Sequence, residues 1–171
     1  MEKPQSKSVL LLAANIRSSI SSLNRSPSEV VATGDQPVLP HSLFKSTRRY
    51  IENVAHQVNR CYSSTCYDAC AVMIRRLLEM LIIEAYVHAS RDKEIRDQDG
   101  NYVGLAKLVE KSLSDFRFGQ KTREALRGLK DYGDLSAHGL RYNTKREYID
   151  EHIFELRIAV EELTYHAGFR K

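Results

Sequence analysis

The stretch TCYDACAVMIRRLLEMLIIEAYVHA, from Thr65 to Ala89, decides the fold. Cys66, Cys70, Met73, Leu77, Leu81 and Ala85 recur at steps of three and four, which puts them on one helical stripe. Ile74, Leu78 and Ile82 widen that stripe, and a helix this apolar belongs in the middle of a bundle. Arg75, Arg76, Glu79 and Glu84 interrupt it, so no run approaches the ~20 apolar residues that span a bilayer. Arg75 and Glu79 stand four apart and are spaced to pair along the helix.

On the N-terminal side, Phe44, Thr47, Ile51, Val54, Val58 and Cys61 predict a preceding helix with Ser42 as its N-cap, broken at Ser63 and Ser64. Before it the chain changes character. Val9 to Ala14 is a short apolar run, and serines surround Ile20. Pro27, Gly34, Pro37 and Pro40 then break regular structure. Residues 1–41 therefore read as an arm or helix, over Lys7 to Leu23, followed by a linker. Residues 42–171 read as the folded domain.

On the C-terminal side, Arg91 to Val103 is polar. Its Asp97, Asp99, Gly100 and Asn101 read as a turn, since the remaining ligands of a calcium loop are missing. Leu105, Leu108, Val109 and Leu113 predict a short helix. Gln120 to His138 predict a long one with Leu126 and Leu129 inward. Gly128 and Gly133 lie inside that helix, where each costs ~1 kcal/mol relative to alanine; close approach of another backbone, or a local distortion, would account for them. Ile149, Ile153, Leu156, Val160, Leu163 and Ala167 predict one last helix from Lys145 to Ala167. The sum is an all-α chain: an antiparallel bundle of four main helices, a short helix and an N-terminal arm.

The chemistry-bearing segment is Lys130 to Asn143. Lys130, Asp134 and His138 are spaced by four and share a helical face, and Gly139 is placed to end the helix. Asp134 can orient the His138 imidazole or favour its protonated form. With Lys130 and Arg141 as flanking cations, this is what metal-free RNA cleavage needs: a proton carrier beside positive charge. A purely structural Asp134–His138 contact at a helix end fits the same spacing.

The other histidines, His41, His56, His88, His152 and His166, have no partner set in sequence and read as structural or solvated. Cys61, Cys66 and Cys70 match no common zinc spacing and read as small buried hydrophobes. No cofactor motif, phosphate loop or paired-histidine metal motif is present, so no metal or cofactor is expected. The net charge of +4 is a mild basic bias, compatible with a polyanionic partner without demanding one. With an odd cysteine count and no secretory signal pattern, the expected compartment is the cytoplasm.

Two segments carry a family resemblance. Tyr67 to Glu79, with Ile74-Arg75-Arg76-Leu77-Leu78-Glu79, resembles the aliphatic–Arg–x–x–Leu–Glu helix of a bacterial domain of unknown function within the HEPN superfamily. Gly133-Asp134-Leu135-Ser136-Ala137-His138 resembles that family's Gly–Asn–x–x–Ala–His element. The resemblance spans roughly residues 42–168. It implies a HEPN-like bundle, often a homodimer, that binds or cleaves RNA without metal in defence or toxin–antitoxin systems. By that resemblance His138 is the catalytic histidine and Asp134 stands at the asparagine position. Lys130 stands at the arginine, keeping the charge but not the planar fork. Lys130, Arg141 and Asn143 are the phosphate-binding candidates. The alternative reading is a non-catalytic dimerisation or protein-interaction module.

Overall fold

The computed structural model describes residues 36–138 and 143–170, with side chains described for 36–129 and 143–170. The proposed N-terminal helix and most of the linker lie outside the described residues. Among the described residues the structure is helical without a strand; one isolated antiparallel bridge joins Arg96 to Tyr102. Six α-helices follow in order: α1 Arg49–Ser63, α2 Tyr67–His88, α3 Leu105–Asp115, α4 Gln120–His138, α5 Arg146–Asp150 and α6 Ile153–His166. Short 3-10 turns occupy His41–Leu43 and Asp92–Ile95. No helix of the described residues is long and apolar enough to cross a membrane.

Helix α2 is the centre, as its pattern predicts. It packs against α1, α3, α4 and α6, and buries Cys70, Ile74, Leu77, Leu78, Leu81, Ile82 and Ala85. Two expected members of the stripe depart from it: Met73 is half-buried and Cys66 is exposed. The three cysteines are thus not equivalent small hydrophobes. Cys70 alone is sealed, and burial pushes its thiol up to about 12. Glu84, an interruption in sequence, is buried at 9% exposure and compensated: the Tyr50 hydroxyl donates to it and Arg48 Nε lies 3.1 Å away. Burial, then that hydrogen bond, push Tyr50 up to about 12.

The predicted helix from Ser42 begins seven residues later, at Arg49. Residues His41–Leu43 form a 3-10 turn, and Thr47 donates both its backbone N–H and its hydroxyl to the Phe44 carbonyl. Phe44 is still buried, but as a wedge rather than as part of a helical face. Val38 and Leu39, expected in the linker, are completely buried. Asn59 pins them: its side chain accepts from Leu39 N–H and donates to Leu39 C=O, both at 2.8 Å. Arg157 donates to the carbonyls of Val38 and Pro37 at 2.9 and 2.7 Å. The backbone of this strap is satisfied by side chains, without a strand partner among the described residues.

Helices α1, α2 and α6 end alike. In each, the residue after the C-cap takes a left-handed conformation (Thr65, φ 58°; Ser90, φ 57°; Gly168, φ 73°). The next residue's N–H reaches back to the carbonyl five positions earlier: Cys66 to Cys61, Arg91 to Tyr86, Phe169 to Thr164. Only the last of the three uses glycine.

The predicted last helix is two. At the α5–α6 junction, His152 N–H bonds Ile149 C=O in a 3-10 fashion, and His152 Nδ1 donates to Tyr148 C=O at 2.7 Å. The ring nitrogen takes a carbonyl that a continuous helix would give to a backbone N–H. Among the described residues no atom outside its own helix backbone lies within 4 Å of a Cβ built on Gly128, in α4, so no close backbone approach is seen there.

Candidate functional site

Helix α4 is set in place from its N-terminal half. Thr122, Ala125, Leu126 and Leu129 are buried, and the helix packs against α2, α3 and α6. Its start is held from α6: Glu162 Oε1 accepts from Gly119 N–H at 2.8 Å, a carboxylate at the positive end of the helix. At the preceding connection, Arg123 Nη1 donates to Leu113 C=O at 2.8 Å.

From that anchor α4 continues without a break to His138. The backbone positions of Lys130, Asp134 and His138 therefore form one row along the helix's last turns. Their side chains, and all of Arg141, lie outside the described residues. Asn143 is described and is exposed. Thr144, next to it, is buried, and its N–H donates to Asp68 Oδ1 at 2.7 Å. The chain leaving α4 is thus tied back to the first turn of α2.

Sequence spacing did not single out the surroundings of this return. Tyr62, at the end of α1, donates its hydroxyl to Asp150. Arg146 Nε lies 3.2 Å from Asp150, with its guanidinium 5.3 Å from the centre of the Tyr62 ring. Burial, then the Asp150 bond, push Tyr62 up to about 12, so it stays a protonated donor at neutral pH. His152 and Tyr148 border a cavity of about 30 Å³ with Leu129, Thr144 and Ile74, room for one water. The sequence cue was the four-residue step from Tyr148 to His152, masked by the apolar seam of the same segment.

The second polar centre is structural. The buried Tyr86 donates to Asp115 Oδ2 at 2.7 Å, and Arg91 and Lys111 lie 3.1 and 3.0 Å from the same oxygen. Arg91 also holds Glu94 through two bonds of 2.7 and 2.8 Å. The Tyr86 hydrogen bond, followed by Lys111, keeps the Asp115 carboxyl below its ordinary range. This network ties the end of α2 to α3.

Residues 56–168, from the middle of α1 to just beyond α6, match the family described as Domain of unknown function (DUF4145). The chain belongs to that family. The DUF4145 segment takes in α2 through α6 whole, with the Lys130–Asn143 stretch, and leaves out the strap at Val38 and Leu39. No curated protein and no solved structure matches the chain.

Proposed function

We propose that this DUF4145 domain is a HEPN-like RNA-binding domain that works from the end of α4, in the cytoplasm, as a homodimer in a bacterial defence or toxin–antitoxin type system. The observation that carries the reading is the unbroken course of α4 through His138. It lines up a cation, a carboxylate and an imidazole position over two turns, and the next segment offers the exposed Asn143, Lys145 and Arg146. In this reading Lys130 and Arg141 contact phosphate with Asn143. Asp134 orients His138, and His138 moves the proton if the phosphodiester is cut. The antiparallel HEPN-like arrangement of the helices is part of the same proposal.

Lysine is a point charge and lacks the bidentate geometry of arginine, so the proposal is RNA binding, with cleavage as its stronger form. The test is cleavage of a mixed RNA pool, with chelator present, by wild type and His138→Ala. Cleavage that disappears in the variant establishes the catalytic form. Equal cleavage by both removes His138 from the chemistry. Salt-dependent binding without cleavage leaves the RNA-binding form.

One observation favours the alternative, a protein-interaction module: α6 presents Phe154 and Tyr165 to solvent at 59% and 60% exposure. A chain that dimerises through this face and ignores RNA would be that module.

A further inference from the structure

We propose that His41, Glu52 and His56 form a binding site for a divalent transition-metal ion of the zinc class, at the junction of the 3-10 turn and α1. Their ligating atoms all lie within 4.8 Å of one another, the one such group of histidine, cysteine and carboxylate side chains among the described residues. Glu52 and His56 stand one helical turn apart on α1, and His41 comes from the turn before it. His41 Nε2 is 3.1 Å from Glu52 Oε1, and the two imidazoles stack with centroids 5.9 Å apart. In a tetrahedral site with bonds of about 2.0–2.2 Å, neighbouring ligand atoms are about 3.4 Å apart. The His41–Glu52 pair already has nearly that spacing, and the remaining closure is within reach of a side-chain rotation by His56, which is exposed.

The mounting of these residues is more fixed than their exposure implies. Phe44 is buried and meets both imidazoles edge-on, at 5.3 Å from His41 and 5.2 Å from His56. The His41 carbonyl accepts from the N–H groups of Phe44 and Lys45, at 3.2 and 3.0 Å. Arg170 donates to the neighbouring Ser42 carbonyl. Asn59, one turn beyond His56 on α1, clamps Leu39 just before the turn. The turn and the helix are therefore docked independently of the three ligands, and their backbones are in place before the ion arrives, leaving the His56 ring to close on it. Two imidazole nitrogens and one carboxylate oxygen suit zinc and its neighbours, and disfavour magnesium and calcium, which take oxygen ligands. The open side leaves the fourth position to water.

Such a site staples the start of the domain to α1. It was invisible in sequence because the ligands follow no motif spacing; only the 3-10 turn brings His41 back to α1. The test is calorimetric titration of the metal-stripped full chain with Zn²⁺, alongside His41→Ala, His56→Ala and Cys66→Ser, each checked for helicity by circular dichroism. The expected result is one Zn²⁺ per chain, with affinity reduced by at least about 10–100-fold in both histidine variants and retained in Cys66→Ser. Co²⁺ bound in place of zinc is expected to show no thiolate-to-metal absorption. Absence of binding, or binding that survives both histidine changes, overturns the site. So does binding that disappears with Cys66.

Discussion

The backbone of Gly168 lies beneath the imidazole of His88: a Cβ built on Gly168 would stand 2.4 Å from His88 Cε1 and 2.5 Å from Nδ1. The same glycine holds the left-handed turn that ends α6, at φ 73°. Two penalties therefore meet in one substitution. The left-handed strain of a side chain costs about 1–2 kcal/mol, and turning the exposed His88 ring aside costs about 1 kcal/mol, the low end of overpacking. Gly168→Ala is expected to lower stability by about 2–3 kcal/mol in urea melts. Gly168→Ala combined with His88→Ala should recover part of that loss.

Thr65 and Ser90 meet only the first of these penalties, in the opposite sense. Both hold left-handed conformations that glycine adopts without strain. Relief of that strain outweighs the larger unfolded-state entropy of glycine. Thr65→Gly and Ser90→Gly are each expected to raise stability by about 0.5–1 kcal/mol. They sit at opposite ends of α2, so the double variant should be near the sum in chemical denaturation.

Gly128 is the mirror case. It lies inside α4 with open space around a built Cβ, so nothing among the described residues requires glycine there. Gly128→Ala is expected to add about 1 kcal/mol of stability by helix propensity alone, read as an increase in melting temperature. A loss on that substitution would mean that the open space is filled in the functional assembly.

These glycines and left-handed caps show where sequence reading stops. Apolar periodicity located α2, α3 and α4, because burial on one face imposes a period that survives without tertiary knowledge. It misplaced the start of α1, since Phe44 sits at a helical spacing from Ile51 yet is buried from a 3-10 turn. It ran α5 and α6 together, because Ile149, Ile153 and Leu156 keep their period across a break made by His152 taking the Tyr148 carbonyl. Val38 and Leu39 lie among prolines and read as linker; their burial depends on Asn59 and Arg157, far away in the chain. At the candidate site, spacing named Lys130, Asp134 and His138. The tie from Thr144 to Asp68, and the Tyr62–Asp150–Arg146 cluster beside it, arise only once α1, α2 and α5 meet.

His166 links stability to pH. Its ring lies half-buried between Phe116 and Phe118, with centroids 5.2 and 4.9 Å away. Burial lowers its pKa from the ordinary 6.5, against a smaller opposing effect of Glu162. The unfolded chain then takes up the proton first as pH falls. This contribution to stability is complete above 6.5 and is lost as the pH drops below it toward the folded-state value. Melting temperature should fall on going from pH 7 to pH 5, and His166→Phe should flatten that part of the profile.

The most direct measurement is binding of single-stranded RNA to the full chain across a salt series, for wild type, Lys130→Ala and Arg141→Ala. The expected result is affinity that falls steeply with salt. Each variant should bind more weakly, with a log–log slope shallower by about 0.7 for one lost phosphate contact. RNA binding that is absent at low salt, or unchanged in affinity and slope by both substitutions, would contradict an RNA surface at the end of α4.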